Sequence, residues 1–552
     1  MAQAVRPSAR FRPSDVVDFA IVGSGAAGGI IAKELSTAGF SVVVLEQGPR
    51  LTESDFIHDE FGMLMRNRYA NDQATQPQTF RPTPAAPPQA VQSLIYGRMV
   101  GGSNAHFTGN CWRLHPSDFN EASTLGGIAG TALADWPITY DELEPFYTKV
   151  EWEIGISGEP GPFDPQRSKP YPMPPLPVKS SGVLMDRGAR ALGLHSQPSP
   201  MAINSISYNG RPPCQHCGFC LGFMCEFRAK STSMVAMLPL AEATGRCEIR
   251  PASYAARIEM SADGRARGVS YFDAQKRLQL QRARAVVVCA NGGETPRLLL
   301  NSATTGFAHG LANSSGVVGK HLMFNTYFGA DAQFEQPLNE YKSVQNTRVV
   351  MDFYDTDPKR GHYGGGAIDA RFDRYPITYA LGGLPPSAPK WGEAFARELA
   401  SQFTRSMFFG CHGTSLPLER NSVSIDPALK DAWGLPAMRI TYEDHPDDLA
   451  NARFLVAKAM EIAHAAGART AWPQTVQPQT QSVHLLGTCR MGNDPQNSVV
   501  DRFHRAHDVK NLFICDGSSL VTSSRGQPTM TISALAFRAG THIAASAKRG
   551  EI

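Results

Sequence analysis

Residues 17–46 read VDFAIVGSGAAGGIIAKELSTAGFSVVVLE, and this stretch decides the fold. Val17 to Val22 is a short apolar run of the kind buried on both faces of a parallel sheet. It ends in Gly23-Ser24-Gly25-Ala26-Ala27-Gly28. Gly29 to Thr37 then reads as a helix closed by Ala38-Gly39, and Ser41 to Leu45 as a second apolar strand ending at Glu46. A bare GxGxxG is a weak signal. One that follows a strand, opens a helix and precedes a second strand ending in an acid is a dinucleotide-binding fingerprint. Gly23 permits the tight turn, Gly25 lets the backbone approach a pyrophosphate, and Gly28 lets helix and strand pack closely. The helix N-terminus offers free N–H groups to the anion, and Glu46 can accept hydrogen bonds from ribose hydroxyls. The fingerprint alone does not separate NAD from FAD.

Farther along, residues 73–89 are rich in Pro, Gln and Thr without helical or strand period, which predicts a surface loop or lid. A helix is predicted over Tyr140 to Gly155, and the Pro-rich stretch Pro160 to Pro177 after it marks a domain crossing. Ala283 to Ala290 reads as another buried strand. It turns through Asn291-Gly292-Gly293 into a helix over Glu294 to Ser302, with Pro296 in the first turn. Residues 330–475 suggest an antiparallel sheet with helices, including Pro446 to Ala466. After residue 482 the chain returns to α/β character, with a strand at Leu512 to Cys515 and a helix over Thr531 to Ala547. The fold class is therefore α/β (α+β overall): a Rossmann-like cofactor-binding domain plus a substrate-binding domain with an antiparallel sheet and helices.

The 552 residues exceed one compact core, so several domains are expected. Lys+Arg 53 against Asp+Glu 50 leaves a charge of +3 with no strongly basic half, which argues against a nucleic-acid partner. Charged residues are only 19%, while Gly (50) and Pro (40) are abundant, the composition of a loop-rich enzyme body. No apolar run reaches the roughly 18 residues of a transmembrane helix. Met1 to Asp18 carries arginines but no apolar stretch, so it does not read as a secretory signal. The chain is expected in the cytoplasm as encoded, and in the periplasm only if an exported partner subunit carries it there.

Ten cysteines are too few for a disulfide scaffold, yet Cys214, Cys217, Cys220 and Cys225 fall within twelve residues. Their Cys-x2-Cys-x2-Cys start is the spacing by which thiolates reach the corners of an iron–sulfur cluster. Structural zinc usually takes two separated pairs, and disulfides are disfavoured in a reducing compartment. Cluster, zinc, disulfide and free thiols all stay open, with the cluster favoured. The other six cysteines read as small buried hydrophobes.

Several stretches together resemble the glucose–methanol–choline (GMC) oxidoreductase family. They are the fingerprint with Glu46; Gly97-Arg98-Met99-Val100-Gly101-Gly102-Ser103-Asn104; Asp135-Trp136-Pro137-Ile138; and Asn313-Ser314-Ser315-Gly316. His484-Leu485-Leu486-Gly487-Thr488, Asp516-Gly517-Ser518 and Pro528-Thr529-Met530-Thr531 complete the set. The resemblance implies FAD, held by a discontinuous domain over 14–130, 226–328 and 479–552. Residues 131–225 would form a substrate and cluster segment, and 329–478 the substrate-binding domain.

By the same resemblance, Arg98, Gly101, Gly102, Ser103 and His106 border the flavin. Asp516 and Gly517 close on its ribityl–phosphate side, with Pro528 and Thr529 nearby. His106 stands where some relatives attach FAD covalently; non-covalent binding is expected here. His484 matches the family's catalytic base. Gln527 stands where the family has Asn or His, one methylene longer than Asn, and Asn325 replaces a histidine of many relatives.

The cysteine segment resembles the insert of GMC sugar dehydrogenases that pass electrons through a cluster to a cytochrome, although the spacing differs. A small subunit and a one-electron acceptor are the implied partners. The implied activity is FAD-dependent oxidation of a CH–OH group of a sugar, glycoside or polyol. The alternatives are a long-chain or aromatic alcohol oxidoreductase, and an electron-transfer subunit without turnover of its own.

Overall fold

The computed structural model describes residues 10–372 and 374–552, so the first nine residues of the polar lead lie outside the description. The largest sheet grows from the opening stretch. Val17–Val22 pairs in parallel with Val42–Leu45 on one side and with Leu278–Val288 on the other. Cys247–Arg250 and Leu512–Ile514 extend the parallel set. Leu278–Val288 has two kinds of neighbour. Its residues 278–282 continue an antiparallel meander with Ala266–Phe272 and Tyr254–Met260, and its residues 283–288 enter the parallel set. The parallel strands are apolar because both ends of the chain bury them: Ile30, Ile31 and Leu35 of the helix Ala26–Thr37 share one core with Leu535 and Phe537 of the helix Pro528–Lys548.

A second sheet of six strands is antiparallel throughout, in the order Thr470–Pro473, Tyr327–Gln333, Ser406–Gly413, Gly366–Arg371, Asn346–Val350 and Ser196–Pro198. The helices Ser180–Ala191 and Pro446–Ala465 cover it through Leu184, Met185, Leu455, Ala459 and Ile462. The α/β class, with a Rossmann-like sheet and an antiparallel sheet, is thus the architecture found.

Three local expectations change. Residues 73–89 are not a structureless lid: Gln78–Arg81 pairs in parallel with Pro436–Thr441, and Gln89 faces Phe80. Gln78 and Phe80 point into the protein while Thr79 and Arg81 stay half-exposed, a two-residue period too short to stand out among prolines. The helix expected over Tyr140 to Gly155 runs Tyr140–Val150 and ends in a wider turn, Glu151–Gly155. The helix expected at Glu294 starts at Asn291, which puts Pro296 in its second turn. A proline there cannot donate to the carbonyl four residues back. The Thr488 hydroxyl donates to that Gly292 oxygen instead, at 2.8 Å. Among the described residues no helix is long and apolar enough to cross a membrane.

Candidate active site

A single cavity of about 780 Å³ runs from the fingerprint turn to the edge of the antiparallel sheet. Gly23 takes a left-handed turn (φ +93°), and a Cβ there would lie 2.4 Å from the Cys289 carbonyl oxygen. A Cβ on Gly28 would come within 2.0 Å of Gly23 O, so Gly28 serves helix–strand contact and does not line the cavity. Gly25 differs. Its Cβ would meet nothing nearer than Gly101 O at 4.0 Å, which leaves the space before the helix N-terminus to a ligand.

Glu46 is buried and lines the same cavity. Its Oε2 accepts from Ser24 Oγ and Ser24 N (2.7 and 3.1 Å), and its Oε1 from Gly48 N (3.0 Å). Burial nevertheless raises its carboxyl. Gly102 packs on the turn, its missing Cβ 3.2 Å from Gly25 Cα.

Of the residues expected around the flavin, Gly102, Ser103, His106, Asp516, Gly517, Pro528 and Thr529 line the cavity with Gly23, Gly25 and Glu46. Arg98 and Gly101 do not. Arg98 Nη1 instead donates to Thr75 Oγ1 at 2.7 Å and pairs with Asp72 at 3.4 Å. Gly101 N–H donates to Ser24 Oγ at 2.9 Å and holds the two segments together. Asp516 accepts from Asn291 N and Thr295 Oγ1 of the helix that starts at Asn291 and from Ser518 N of its own turn, which joins the two segments at the cavity wall. Pro528 and Thr529 open the helix Pro528–Lys548, whose positive end faces the cavity. Burial, with a smaller push from the Lys230 ammonium, holds His106 down to about 4, so its imidazole is neutral. These features fit a dinucleotide: an open anion cradle, a buried acid, and a helix N-terminus at the far side.

His484 and Gln527 line the same cavity, each half-buried. Burial first, then the His412 imidazole and the Arg371 guanidinium, push His484 down to about 4, so it stands neutral and ready to take a proton. His412 is not among the expected site residues, yet it lines the cavity from the strand Ser406–Gly413, with Nδ1 3.2 Å from Gln527 Nε2. Its Nε2 lies 3.1 Å from Asp369 Oδ2 and 3.0 Å from Arg371 Nη2. Asp369, fully buried, also accepts from Arg371 Nε at 2.5 Å and Asn346 Nδ2 at 2.6 Å. Room for this pair comes from Gly410 on the neighbouring strand, where a Cβ would lie 2.8 Å from Asp369 Oδ1. Asn325 Nδ2 donates to Gly413 O, Ser523 O and Ser524 O, clamping the strand of His412 to the loop that leads into Gln527.

Sequence profiles of GMC oxidoreductases match residues 17–326 and 417–536. The chain belongs to the GMC oxidoreductase family. It is similar to 2-methyl-1,2-propanediol dehydrogenase of Mycolicibacterium austroafricanum, 34% identical over 96% of this chain and 95% of the relative. It is also similar to the fructose dehydrogenase large subunit of Gluconobacter japonicus, 29% identical over 97% and 98% of the two chains. Among solved structures, an Aspergillus oryzae formate oxidase studied for modification of its FAD matches with a TM-score of 0.69. That match covers 98% of this chain and 100% of the other at 14% identity, a likeness of fold. This GMC oxidoreductase is accordingly an FAD enzyme acting on CH–OH donors.

The cysteine segment of this GMC oxidoreductase borders the cavity through Leu221 and Gly222. Lys230, itself buried, donates through Nζ to Cys220 O, Phe223 O and Phe107 O at 2.9–3.0 Å. The expected ligand set is not assembled. Among the described residues no three His, Cys, Asp or Glu side chains converge to hold a metal ion. Burial, followed by the neighbouring thiols, pushes Cys214 up to about 11 and raises Cys217 as well. As they stand, Cys214, Cys217, Cys220 and Cys225 do not fit a cluster. The remaining six cysteines are all buried.

Proposed function

We propose that this GMC oxidoreductase is an FAD-dependent dehydrogenase that oxidises a CH–OH group of a sugar, glycoside or polyol. His484 is the base for the hydroxyl proton, and Gln527 hydrogen-bonds the substrate oxygen. The observation that carries the reading is the shared cavity, in which a neutral His484 and Gln527 stand beyond a fingerprint turn left open at Gly25. Bound FAD supplies the hydride acceptor for the carbinol carbon. The chain's own residues bind and position. Gly23, Gly25 and the helix N-terminus cradle the pyrophosphate, Glu46 meets the ribose, and Gly102, Ser103 and His106 border the flavin. Asp516, Gly517, Pro528 and Thr529 close the opposite side. His484 accepts the hydroxyl proton because burial keeps its imidazole uncharged until that moment.

Anaerobic mixing of the yellow protein with a panel of sugars, glycosides, polyols and alcohols tests this. Polyhydroxy compounds are expected to bleach the flavin absorbance, and His484→Ala is expected to slow bleaching at least ~10²-fold with FAD retained. No bleaching by any of them, or an unchanged rate in His484→Ala, overturns the reading. Preferential bleaching by aromatic or long-chain alcohols selects the alternative substrate class. An iron–sulfur exit is the sequence-based expectation for the electrons, although among the described residues the thiols do not converge on a metal site. Iron and acid-labile sulfide in anaerobically prepared protein decide it. A companion subunit and a cytochrome are the partners this reading entails, tested by co-purification and by reduction of added cytochrome.

A further inference from the structure

The segment Met323 to Thr326 runs between the two halves of the reacting pair and bonds to both sides. Met323 and Leu486 exchange backbone hydrogen bonds at 3.0 and 3.2 Å. Ser482 Oγ, which accepts from His484 N at 3.0 Å, lies 3.1 Å from Phe324 O. Two residues on, the partners change. Thr326 N donates to Thr414 O at 3.3 Å, and Thr326 O accepts from Gly413 N at 2.9 Å. The chain has passed from the segment of His484 to the strand Ser406–Gly413, and Asn325 makes that turn. We infer that Asn325 is a positioning residue that sets the spacing between His484 and Gln527, and so holds the Gln527 carboxamide within reach of the oxygen whose proton His484 takes. This rests on the reading of His484 as base and Gln527 as partner of the substrate oxygen, and deepens it by naming what fixes the pair.

Two properties of Asn325 act together. Its backbone is left-handed (φ +61°), a conformation that asparagine enters more readily than most residues with a side chain. Its Nδ2 faces three carbonyl oxygens: Gly413 O at 3.2 Å, Ser523 O at 3.1 Å and Ser524 O at 2.9 Å. Carbonyl oxygens only accept, so the atom they surround is the NH2, and the orientation of the carboxamide follows from its neighbours. Asn325 is buried, so water does not compete for these bonds. Ser524, three residues before Gln527, is left-handed too (φ +68°). The loop into Gln527 thus holds a shape that serine does not favour, and the clamp on the Ser523 and Ser524 carbonyls keeps it there.

No other residue type combines these parts. Glycine makes the turn without the clamp. Glutamine brings the NH2, but one methylene farther out and on a backbone it enters less readily. Removing the Asn325 side chain leaves the backbone bonds between Met323 and Leu486 intact and releases only the far side. The loss therefore falls on the placement of Gln527, where a displacement of an ångström is costly to the reaction.

The test uses the flavin-loaded enzyme and anaerobic stopped-flow reduction by glucose, fructose, glycerol, 1,2-propanediol and benzyl alcohol, read with the donor that bleaches the wild type fastest. Asn325→Gly keeps the left-handed turn and removes the clamp. Asn325→Asp keeps the shape and exchanges the two-proton NH2 for an oxygen. Each is expected to slow the limiting rate of flavin reduction roughly 10-fold or more with FAD retained. In the Gln527→Ala background the same substitutions are expected to cost less than ~2-fold, because their effect runs through that residue. A part in folding alone would cost the same factor in both backgrounds.

A binding readout needs no turnover. tert-Butanol has a hydroxyl but no hydrogen on its carbinol carbon, so its perturbation of the flavin spectrum reports affinity alone. Its Kd is expected to rise ~3-fold or more in Asn325→Gly and in Gln527→Ala, and no further in the double variant. Unchanged reduction in both Asn325 variants, or an equal cost in both backgrounds, overturns the inference while leaving the dehydrogenase reading intact. Bleaching of the wild type by none of the donors, with tert-butanol bound alike by wild type and variants, sinks both.

Discussion

The two sheets build their share of the site in opposite ways. At the parallel sheet, consecutive residues do the work: a turn of glycines, a helix N-terminus and one acid at the end of the next strand. At the antiparallel sheet, Asp369 and Arg371 on one strand meet His412 on the next, and His412 in turn meets Gln527 from the C-terminal part of the chain. The first cradle is made of backbone and is spoiled by adding an atom. The second is a buried polar network and is spoiled by removing one, since each member takes away hydrogen bonds that its neighbours rely on.

Glycine substitutions sharpen this contrast most. Gly28→Val forces a side chain into Gly23 O and is expected to yield no folded protein, whereas Gly25→Val meets no such wall and is expected to fold without flavin. Circular dichroism melts read against bound-flavin absorbance separate the two, and a yellow Gly25→Val protein would break the contrast. At the other sheet, Asp369→Ala removes the buried carboxylate that Arg371, His412 and Asn346 all face. A loss of about 3–5 kcal/mol is expected, seen as a lower urea midpoint. Thr488→Val orphans the Gly292 carbonyl beneath Pro296 and should cost about 1–3 kcal/mol by the same measurement.

The last effect concerns acid. His106, His115 and His484 are each held down to about 4 by burial. They contribute stability that is fully present above the ordinary histidine value near 6.5 and is lost as pH falls through about 4, because the unfolded chain binds their protons first. The acid limb of flavin reduction set by His484 is likewise expected near 4 rather than 6.5, read by stopped-flow reduction across pH.

The parallel sheet was legible because its ligand chemistry is local: the glycine spacing states which Cβ atoms are forbidden, and the following strand states where the acid falls. The antiparallel side was legible only as a sheet. Its one available signal was the spacing of Asp369 and Arg371, two charges of opposite sign on one face of a strand otherwise apolar, which marks a pair pointing inward. Which histidine they address depends on strand register, and no local pattern encodes that. The strand at Gln78–Arg81 escaped for the same reason, its partner lying some 360 residues away. The cysteines show the converse. Their spacing is suggestive, yet the backbone as folded does not gather the sulfurs.

Lys230 ties this last region to the rest. Its ammonium has three protons and spends them on three carbonyl oxygens, two in the cysteine segment and one, Phe107, in the cavity wall. The segment and the wall therefore share one thermodynamic joint. Reciprocity then holds between them: whatever factor an occupant of the cavity imposes on binding at the cysteine segment, binding at that segment returns to the cavity.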